Sequence, residues 1–197
     1  MTRLGWAILA GILVLVVAFA SMTSFGADSR RPEGAEVVAT KATAPAAGSP
    51  ALLTVPVAGV RRSAIVDSWN DPRGGGERDH HGTDIAAPGG TPVVAAAPGI
   101  VEKLFQSTLG GTTVYVRSPD RRWIYYYAHL AGYVSGLHEG QAVRAGQPIA
   151  YVGDTGDAGA GNYHLHFGMQ RMRPDQRWHE GEDVNPYPML AARASPR

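Results

Sequence analysis

The sequence predicts an all-β fold, a compact antiparallel β-sheet domain, on three grounds. From about residue 52 onward, short runs of β-branched and aromatic residues alternate with turn signals. None of these runs has the length or the 3.6-residue period of a helix. The chain also carries 25 glycines and 14 prolines among its 197 residues, and these residues favour turns over long helices.

Six segments are predicted strands, each next to a turn signal. In chain order they are residues 91–97, 99–105, 112–117, 122–129, 148–152 and 163–169. Together they predict one domain over residues 51–190, with Pro186 and Pro188 marking its end. Residues 191–197 are expected to form a loose tail.

The N-terminal 20 residues are predicted to be a signal peptide or a membrane anchor. Arg3 precedes an unbroken apolar and glycine run over residues 4–20, which ends in a small-x-small pattern. The run is long for a signal peptide and short for a transmembrane helix, so cleavage and inner-membrane attachment remain alternatives. Both place the rest of the chain outside the cytoplasm, in the cell envelope: periplasmic, secreted or membrane-anchored. Residues 21–50, rich in Ala, Pro and Gly, predict a flexible linker.

Composition excludes several classes of function. The formal net charge is +1, which gives no reason to expect nucleic acid as a partner. The absence of cysteine excludes disulfides, cysteine-based zinc sites, a cysteine nucleophile and a lipid anchor on cysteine. Any metal site must therefore use His, Asp and Glu.

Five of the seven histidines fall into three short segments. In the first, His80 and Asp84 lie four residues apart and emerge on one face of an extended chain, with Gly82 between them permitting a bend or a close approach. Such a pair is common by chance. In the second, His164 and His166 are two residues apart and share a strand face. Either a metal or a shared catalytic task explains them, or they are solvated side chains on an exposed face.

The third segment places His129 at the end of an aromatic strand. Taken together, the segments match a catalytic zinc site, which uses three protein ligands and leaves the fourth position to water. His80, Asp84 and His166 offer two nitrogens and one carboxylate oxygen, and water on such an ion has a pKa of about 7 and can attack an amide. His129 and His164 remain for proton transfer and oxyanion stabilisation.

The order of these motifs resembles that of the lysostaphin/LytM-type zinc metallopeptidases, over roughly residues 57–190. The matching motifs are His80-x-Gly82-x-Asp84-Ile85, Tyr127-Ala128-His129-Leu130, Val152-Gly153-x-Thr155-Gly156, His164-Leu165-His166-Phe167 and Asn185-Pro186. The resemblance implies a LytM/lysostaphin-type antiparallel β fold, a duplicated hybrid motif, with a site-lined groove. It also implies one Zn²⁺ held by His80, Asp84 and His166, with His129 and His164 as the catalytic histidines that are not ligands.

The function implied by the resemblance is a zinc metalloendopeptidase that hydrolyses peptide stems and crosslinks of peptidoglycan. One alternative is a non-catalytic or weakly catalytic regulator that binds or activates other cell-wall hydrolases. Such relatives usually carry substitutions in the His/Asp set, whereas here the set is complete. Another alternative is a structural zinc protein, which would use four protein ligands. We expect a monomer.

Two neighbouring positions bear on this assignment. His81 adjoins His80, but the spacing to Asp84 favours His80 as the ligand. Some members of the resembling family use a tyrosine upstream of the first motif, and residues 73–78 contain none. That role is either unfilled or supplied from elsewhere, with Tyr127 and Tyr163 as candidates.

The glycines at 74–76 form either a mobile wall of the groove or a plain surface turn. His138 and His179 lie in polar, turn-like contexts and are expected on the surface.

Overall fold

The computed structural model describes residues 52–191. The predicted N-terminal segment (1–20), the linker (21–50) and all but the first residue of the tail (191–197) lie outside the described residues, so these assignments stay predictions. Within residues 52–191, no helix combines the length and apolar character needed to span a membrane.

The described chain consists of short antiparallel strands, which confirms the all-β prediction. The strands are β1 (Pro72–Arg73), β2 (Arg78–Asp79), β3 (Thr83–Ala86), β4 (Pro92–Val94), β5 (Gly99–Ser107), β6 (Gly111–Arg117), β7 (Trp123–Tyr133), β8 (Ala142–Val143), β9 (Pro148–Val152), β10 (His164–Arg171) and β11 (Glu182–Asp183). Two 3-10 turns span Arg62–Ala64 and Gly74–Gly76, and a short helix, α1, spans Tyr187–Ala191.

Nine strands, β3 to β11, form one sheet. Its main path is β11-β10-β7-β6-β5-β8, with β3 beside β10, β9 beside β7, and β4 beside β9. Every pairing is antiparallel. In this register His166 of β10 lies opposite Asp84 of β3 on one side and Ala128 of β7 on the other. The sheet therefore brings the first, central and last motifs together.

Alternation along β10 separates the core from the site. Leu165 and Phe167 are fully buried. His164 and His166 lie on the opposite face, because successive side chains of a strand alternate. Burying an apolar side chain of this size stabilises the fold by about 1.5–3 kcal/mol. A register slip of one residue would expose both side chains, so the core fixes which face carries the histidines.

Helix α1 is the one regular helix in residues 52–191, and the sequence reading did not predict it. A helix of five residues is too short to be stable alone, and tertiary contacts hold this one. Met189 and Leu190 are buried. The Leu53 amide donates to the Met189 carbonyl at 3.2 Å, and the Arg62 guanidinium donates to the Leu190 carbonyl at 2.6 Å.

Candidate active site

The three predicted metal ligands converge at one point. His80 Nε2 lies 2.8 Å from His166 Nδ1 and 3.0 Å from Asp84 Oδ1. The triangle closes with 3.1 Å between His166 Nδ1 and Asp84 Oδ1. Within residues 52–191, these are the His, Asp and Glu side chains that form a group able to share one metal ion.

The geometry and chemistry of this triangle fit a zinc ion. In a tetrahedral site with bonds of about 2.0–2.1 Å, neighbouring ligand atoms lie roughly 3.3 Å apart, slightly more than the 2.8–3.1 Å observed here. The three atoms can all act as lone-pair donors to a metal. At these distances their lone pairs repel unless a proton or a cation lies between them, and the mixed nitrogen and oxygen set suits zinc.

Ser68 positions two of the ligands. Its carbonyl oxygen accepts a hydrogen bond from His80 Nδ1 at 2.6 Å. This tautomer leaves the His80 Nε2 lone pair free for a metal. Its hydroxyl oxygen accepts a hydrogen bond from the Asp84 amide at 3.0 Å. One residue upstream of the motif therefore fixes both the tautomer of the first ligand and the backbone of the second.

Gly82 makes room for the third ligand. A Cβ atom at this position would lie 2.5 Å from His166 Cε1 and 2.7 Å from His166 Nε2. The close approach that the sequence predicts at Gly82 is therefore made by the His166 imidazole, which packs against the Cα atom of Gly82. Any larger residue would displace that ring.

Electrostatics favour the metal-binding protonation states of two of these residues, Asp84 and His166. Burial by itself would raise the pKa of Asp84, but hydrogen bonds and charge interactions with His166 and His80 hold it well below its ordinary value. Burial lowers the pKa of His166, an effect that Asp84 partly offsets. An ionised carboxylate and neutral imidazoles are the metal-binding forms of these groups.

His129 and His164 lie beside the triangle. Their rings are 4.8 Å apart, and His164 Nε2 is 3.9 Å from Asp84 Oδ1, beyond hydrogen-bond distance. His129 Nδ1 donates to the Thr155 carbonyl and His164 Nδ1 to the Asn162 carbonyl, both at 2.8 Å. Each ring therefore keeps an Nε2 lone pair that can accept a proton, and burial lowers the pKa of His129 and favours its neutral form.

The backbone of His129 adopts a left-handed conformation, with φ of 59°. Non-glycine residues rarely do so, and such strain concentrates at functional positions. The β5–β6 turn supports it, because the His129 amide donates to the Gly110 carbonyl at 2.8 Å. A Cβ atom on Gly111 would lie 2.2 Å from Thr155 Oγ1, so glycine there allows the turn to pack against the loop that orients His129.

The five polar residues line an open groove of about 400 Å³. Neither Tyr127 nor Tyr163, the two candidates for the role of the upstream tyrosine, lines this groove. The Tyr127 hydroxyl is buried and accepts a hydrogen bond from the Ala96 amide at 2.8 Å, and the Tyr163 ring lies over Gly89. Tyr126 lines the groove instead, with its ring 5.7 Å from that of His166.

Comparison with known proteins gives the family. The model of Peptidase family M23 matches residues 78–186, more than half of the chain. The chain belongs to peptidase family M23. This M23 domain is 38% identical over 131 residues to the L-Ala–D-Glu endopeptidase of Bacillus subtilis (strain 168), an alignment that covers 64% of this chain and 39% of the relative.

A second curated relative is the peptidoglycan DD-endopeptidase ShyC of Vibrio cholerae, 36% identical over 98 residues, which are 50% of this chain and 22% of that protein. The chain thus spans well under half the length of both. The fold is similar to the catalytic domain of the antimicrobial peptidase lysostaphin from Staphylococcus simulans, with a TM-score of 0.53, 29% identity, and coverage of 64% of this chain and 90% of that one. These similarities confirm the resemblance predicted from the motifs.

Three other histidines of the M23 domain lie outside the triangle, as expected. His81 is exposed, with Nδ1 2.9 Å from Asp183 Oδ2 and its ring stacked on Trp69. His138 and His179 are exposed as well.

Sequence reasoning missed three charged residues of the groove. Arg73 and Arg78 flank the glycine turn, and both line the groove together with Asp157. The glycines themselves do not line the groove, so whether the turn acts as a mobile wall stays a prediction. A usable signal was present, because two arginines that enclose the four residues 74–77 face each other when the segment folds as a hairpin.

Proposed function

We propose that this M23 domain is a zinc metalloendopeptidase that hydrolyses peptide crosslinks of cell-wall peptidoglycan. The observation that carries the proposal is the convergence of His80 Nε2, Asp84 Oδ1 and His166 Nδ1 within 3.1 Å of one another. Beside this group, two further imidazoles keep a free Nε2 lone pair. The names of the Bacillus and Vibrio relatives, both endopeptidases, support the same reaction class.

In this proposal His80, Asp84 and His166 hold one Zn²⁺. When bound, the ion would acidify a water molecule and polarise the scissile carbonyl. Arg73 Nη2 binds Asp84 Oδ2 at 2.5 Å, so the carboxylate presents its other oxygen, Oδ1, to the two histidines. Orienting partners of this kind keep ligands in place before the metal binds.

His129 and His164 carry out the proton transfers. A neutral imidazole Nε2 accepts the proton of the water whose oxygen attacks the carbonyl carbon. The same proton then moves to the amide nitrogen as the C–N bond breaks, so the imidazole returns to its starting state. The second imidazole, after taking a proton from solvent, donates a hydrogen bond from Nε2 to the carbonyl oxygen as negative charge develops there. It keeps that proton when the carbonyl re-forms. The carbonyls of Thr155 and Asn162 orient the two rings.

The proposed setting is the cell envelope, outside the cytoplasm. The segment at 1–20 would direct export or anchor the chain, and the linker at 21–50 would let a monomeric domain reach the wall. Crosslinks between stems are the proposed substrate. The DD-endopeptidase name of the Vibrio relative supports this choice, whereas the name of the Bacillus relative states an L-Ala–D-Glu bond.

A digestion assay tests the proposal. Full-length protein should contain about one zinc per chain and release soluble peptides from peptidoglycan sacculi. A chelator should stop the release, and added zinc should restore it. Mass spectrometry of the fragments identifies the bond that is cut.

The regulator alternative predicts a different result from the same assay. Zinc-loaded protein would leave sacculi intact but accelerate their digestion by another wall hydrolase. That outcome would reject catalysis while leaving the family assignment in place.

A further inference from the structure

Two arginines face each other on one wall of the groove. Arg73 and Arg78 are directly opposed in the β1–β2 hairpin, and both line the cavity. Like charges at opposed positions destabilise a strand pair. Each guanidinium is matched by one carboxylate: Arg73 binds Asp84, and Arg78 binds Asp157.

The two carboxylates differ in what else they do. Asp84 also contributes Oδ1 to the ligand triangle. The carboxylate of Asp157 has no hydrogen-bond partner other than Arg78 within residues 52–191. Asp157 belongs to the β9–β10 loop, 79 positions after Arg78 in the chain, and both residues line the groove. The Arg78–Asp157 ion pair therefore links the hairpin to the β9–β10 loop.

This ion pair is poorly protected from solvent. The side chains of Arg78 and Asp157 are 44% and 35% exposed, and ion pairs of that exposure contribute little to stability. A guanidinium accepts one carboxylate in place of another with nearly the same geometry. Replacing Asp157 by an incoming carboxylate therefore costs little free energy. The replacement also separates the hairpin from the β9–β10 loop.

The charge of the groove favours an anionic guest. Two arginines and two aspartates line it, so its formal charge is zero before any metal binds. A divalent cation held by Asp84 makes the groove positive, and clefts with one sign of charge attract ligands of the opposite sign.

We propose that Arg78 binds a free carboxylate of the substrate peptide in place of Asp157, and that Asp157 pairs with Arg78 when no peptide is bound. The inference rests on the proposed function, since it assigns the substrate class of the same site: stem peptides that carry a free carboxylate near the scissile bond. Stem peptides offer three such groups, on a γ-linked glutamate, on the diamino acid and on a C-terminal D-alanine.

Peptides with one carboxylate amidated at a time identify the group that Arg78 binds. With zinc-loaded wild-type protein, amidation of one group should lower kcat/KM about tenfold, mostly through KM, and raise Kd in calorimetry by a similar factor. The carboxylate whose amidation has this effect is the one that Arg78 binds. Equal kinetics and equal affinity for the acids and all three amides would overturn the proposal.

Substitutions at the two residues of the ion pair should change the Kd of the acid peptide in opposite directions. Arg78→Gln should make the acid and the amide peptides equivalent, and Arg78→Lys should keep part of the preference. Asp157→Asn should lower Kd for the acid peptide severalfold, because it removes the competing carboxylate. A purely structural ion pair predicts weaker binding in both Arg78→Gln and Asp157→Asn, and that result would count against the exchange.

Glu139→Gln is the matched control. It breaks the Lys103–Glu139 ion pair, which has similar exposure and does not line the groove, and it should leave Kd unchanged. If Arg78→Gln fails to fold, Asp157→Asn and the amidated peptides on wild-type protein still decide the question.

The two proposals fail separately. Preferential binding of the acid peptide without any cleavage would reject the proposed catalysis and keep the role of Arg78. Cleavage of acid and amide peptides at equal rates, unchanged by Arg78→Gln, would reject the role of Arg78 and keep the catalysis.

Discussion

Two regions border the same groove and are built very differently. The proposed metal ligands His80 and His166 are 4% and 16% exposed, and His166 lies on a central strand of the nine-stranded sheet. The hairpin that carries Arg73 and Arg78 has strands of two residues, and none of its residues is buried. Asp84 and His166 lie on paired strands of the sheet, and His80 lies between β2 and β3 with its side chain buried. The groups proposed to meet a variable ligand lie on the exposed hairpin.

A second contrast lies in what holds each region together. The core side chains Leu165 and Phe167 hold His166 in register opposite Asp84. Two ion pairs hold the hairpin: Arg73–Asp84 is partly buried, and Arg78–Asp157 is more exposed. Ion pairs near the surface are individually weak. We therefore expect substitutions at the metal centre to abolish function and substitutions in the hairpin to adjust it.

The largest effect is expected from His166→Ala. This change removes one of three ligands, so zinc should be lost. Activity on sacculi should fall by on the order of a thousandfold or more, because water without the metal ionises far more weakly. Metal analysis and fragment release measure the two effects, and circular dichroism checks the fold. Retention of one zinc per chain would contradict the assignment of His166.

His129→Ala should separate catalysis from metal binding. Zinc content should remain that of the wild type, while kcat falls about 10²–10⁴-fold because the proton acceptor is gone. His138→Ala is the matched control, since His138 also donates Nδ1 to a backbone carbonyl but is exposed outside the groove. Full activity in His129→Ala would remove His129 from the mechanism.

Gly82→Ala tests the packing of the third ligand. The added methyl would displace the His166 ring, so the zinc dissociation constant should rise by up to about a hundredfold. Gly132→Ala in β7 is the control, because a Cβ atom there meets nothing within 4 Å. Competition with a chromophoric chelator measures both constants. Equal zinc affinity in the two variants would show that the ring is free to shift.

Arg73→Gln probes the link between the two regions. Loss of its bond to Asp84 Oδ2 should weaken zinc binding by about tenfold, the lower end of the range for partners that orient metal ligands. Arg177→Gln, which breaks an exposed ion pair with Glu180, should leave zinc affinity as in the wild type. A loss larger than that of Gly82→Ala would mean that the hairpin belongs to the metal centre.

The smallest expected effect is on pH dependence. Burial lowers the pKa values of His129 and His166 below the ordinary 6.5, and only the neutral forms act. The acidic limb of kcat/KM should therefore have its midpoint below pH 6.5. The free energy of unfolding of the metal-free protein should also decrease as the pH falls, because below pH 6.5 the unfolded chain binds more protons than the folded one. A midpoint above 6.5 would contradict these shifts.

Much of the site was predictable from local pattern. The two-residue spacing of His164 and His166 placed both on one strand face, because alternation is a property of any strand. The site set and the all-β class followed from motif order and turn signals. Strand alternation puts Tyr126 and Tyr127 on opposite faces, but which of the two lines the groove depends on how β7 packs.

Other features required the folded chain. The opposition of Arg73 and Arg78 and the contact of Arg78 with Asp157, 79 positions later, depend on long-range packing. Helix α1 forms because Met189 and Leu190 are buried against the start of the domain, a contact that no local window contains.

The sequence by itself determined the chemistry available at the site, since residue types and short spacings fix which ligand atoms share a strand face. Tertiary structure alone decided the 2.8–3.1 Å triangle, the left-handed backbone of His129 and the arginine-lined wall. The physical reason is that the register of β10 against β3 and β7 is set by burial of side chains far apart in the chain. Distances between motifs follow from that register and not from sequence spacing.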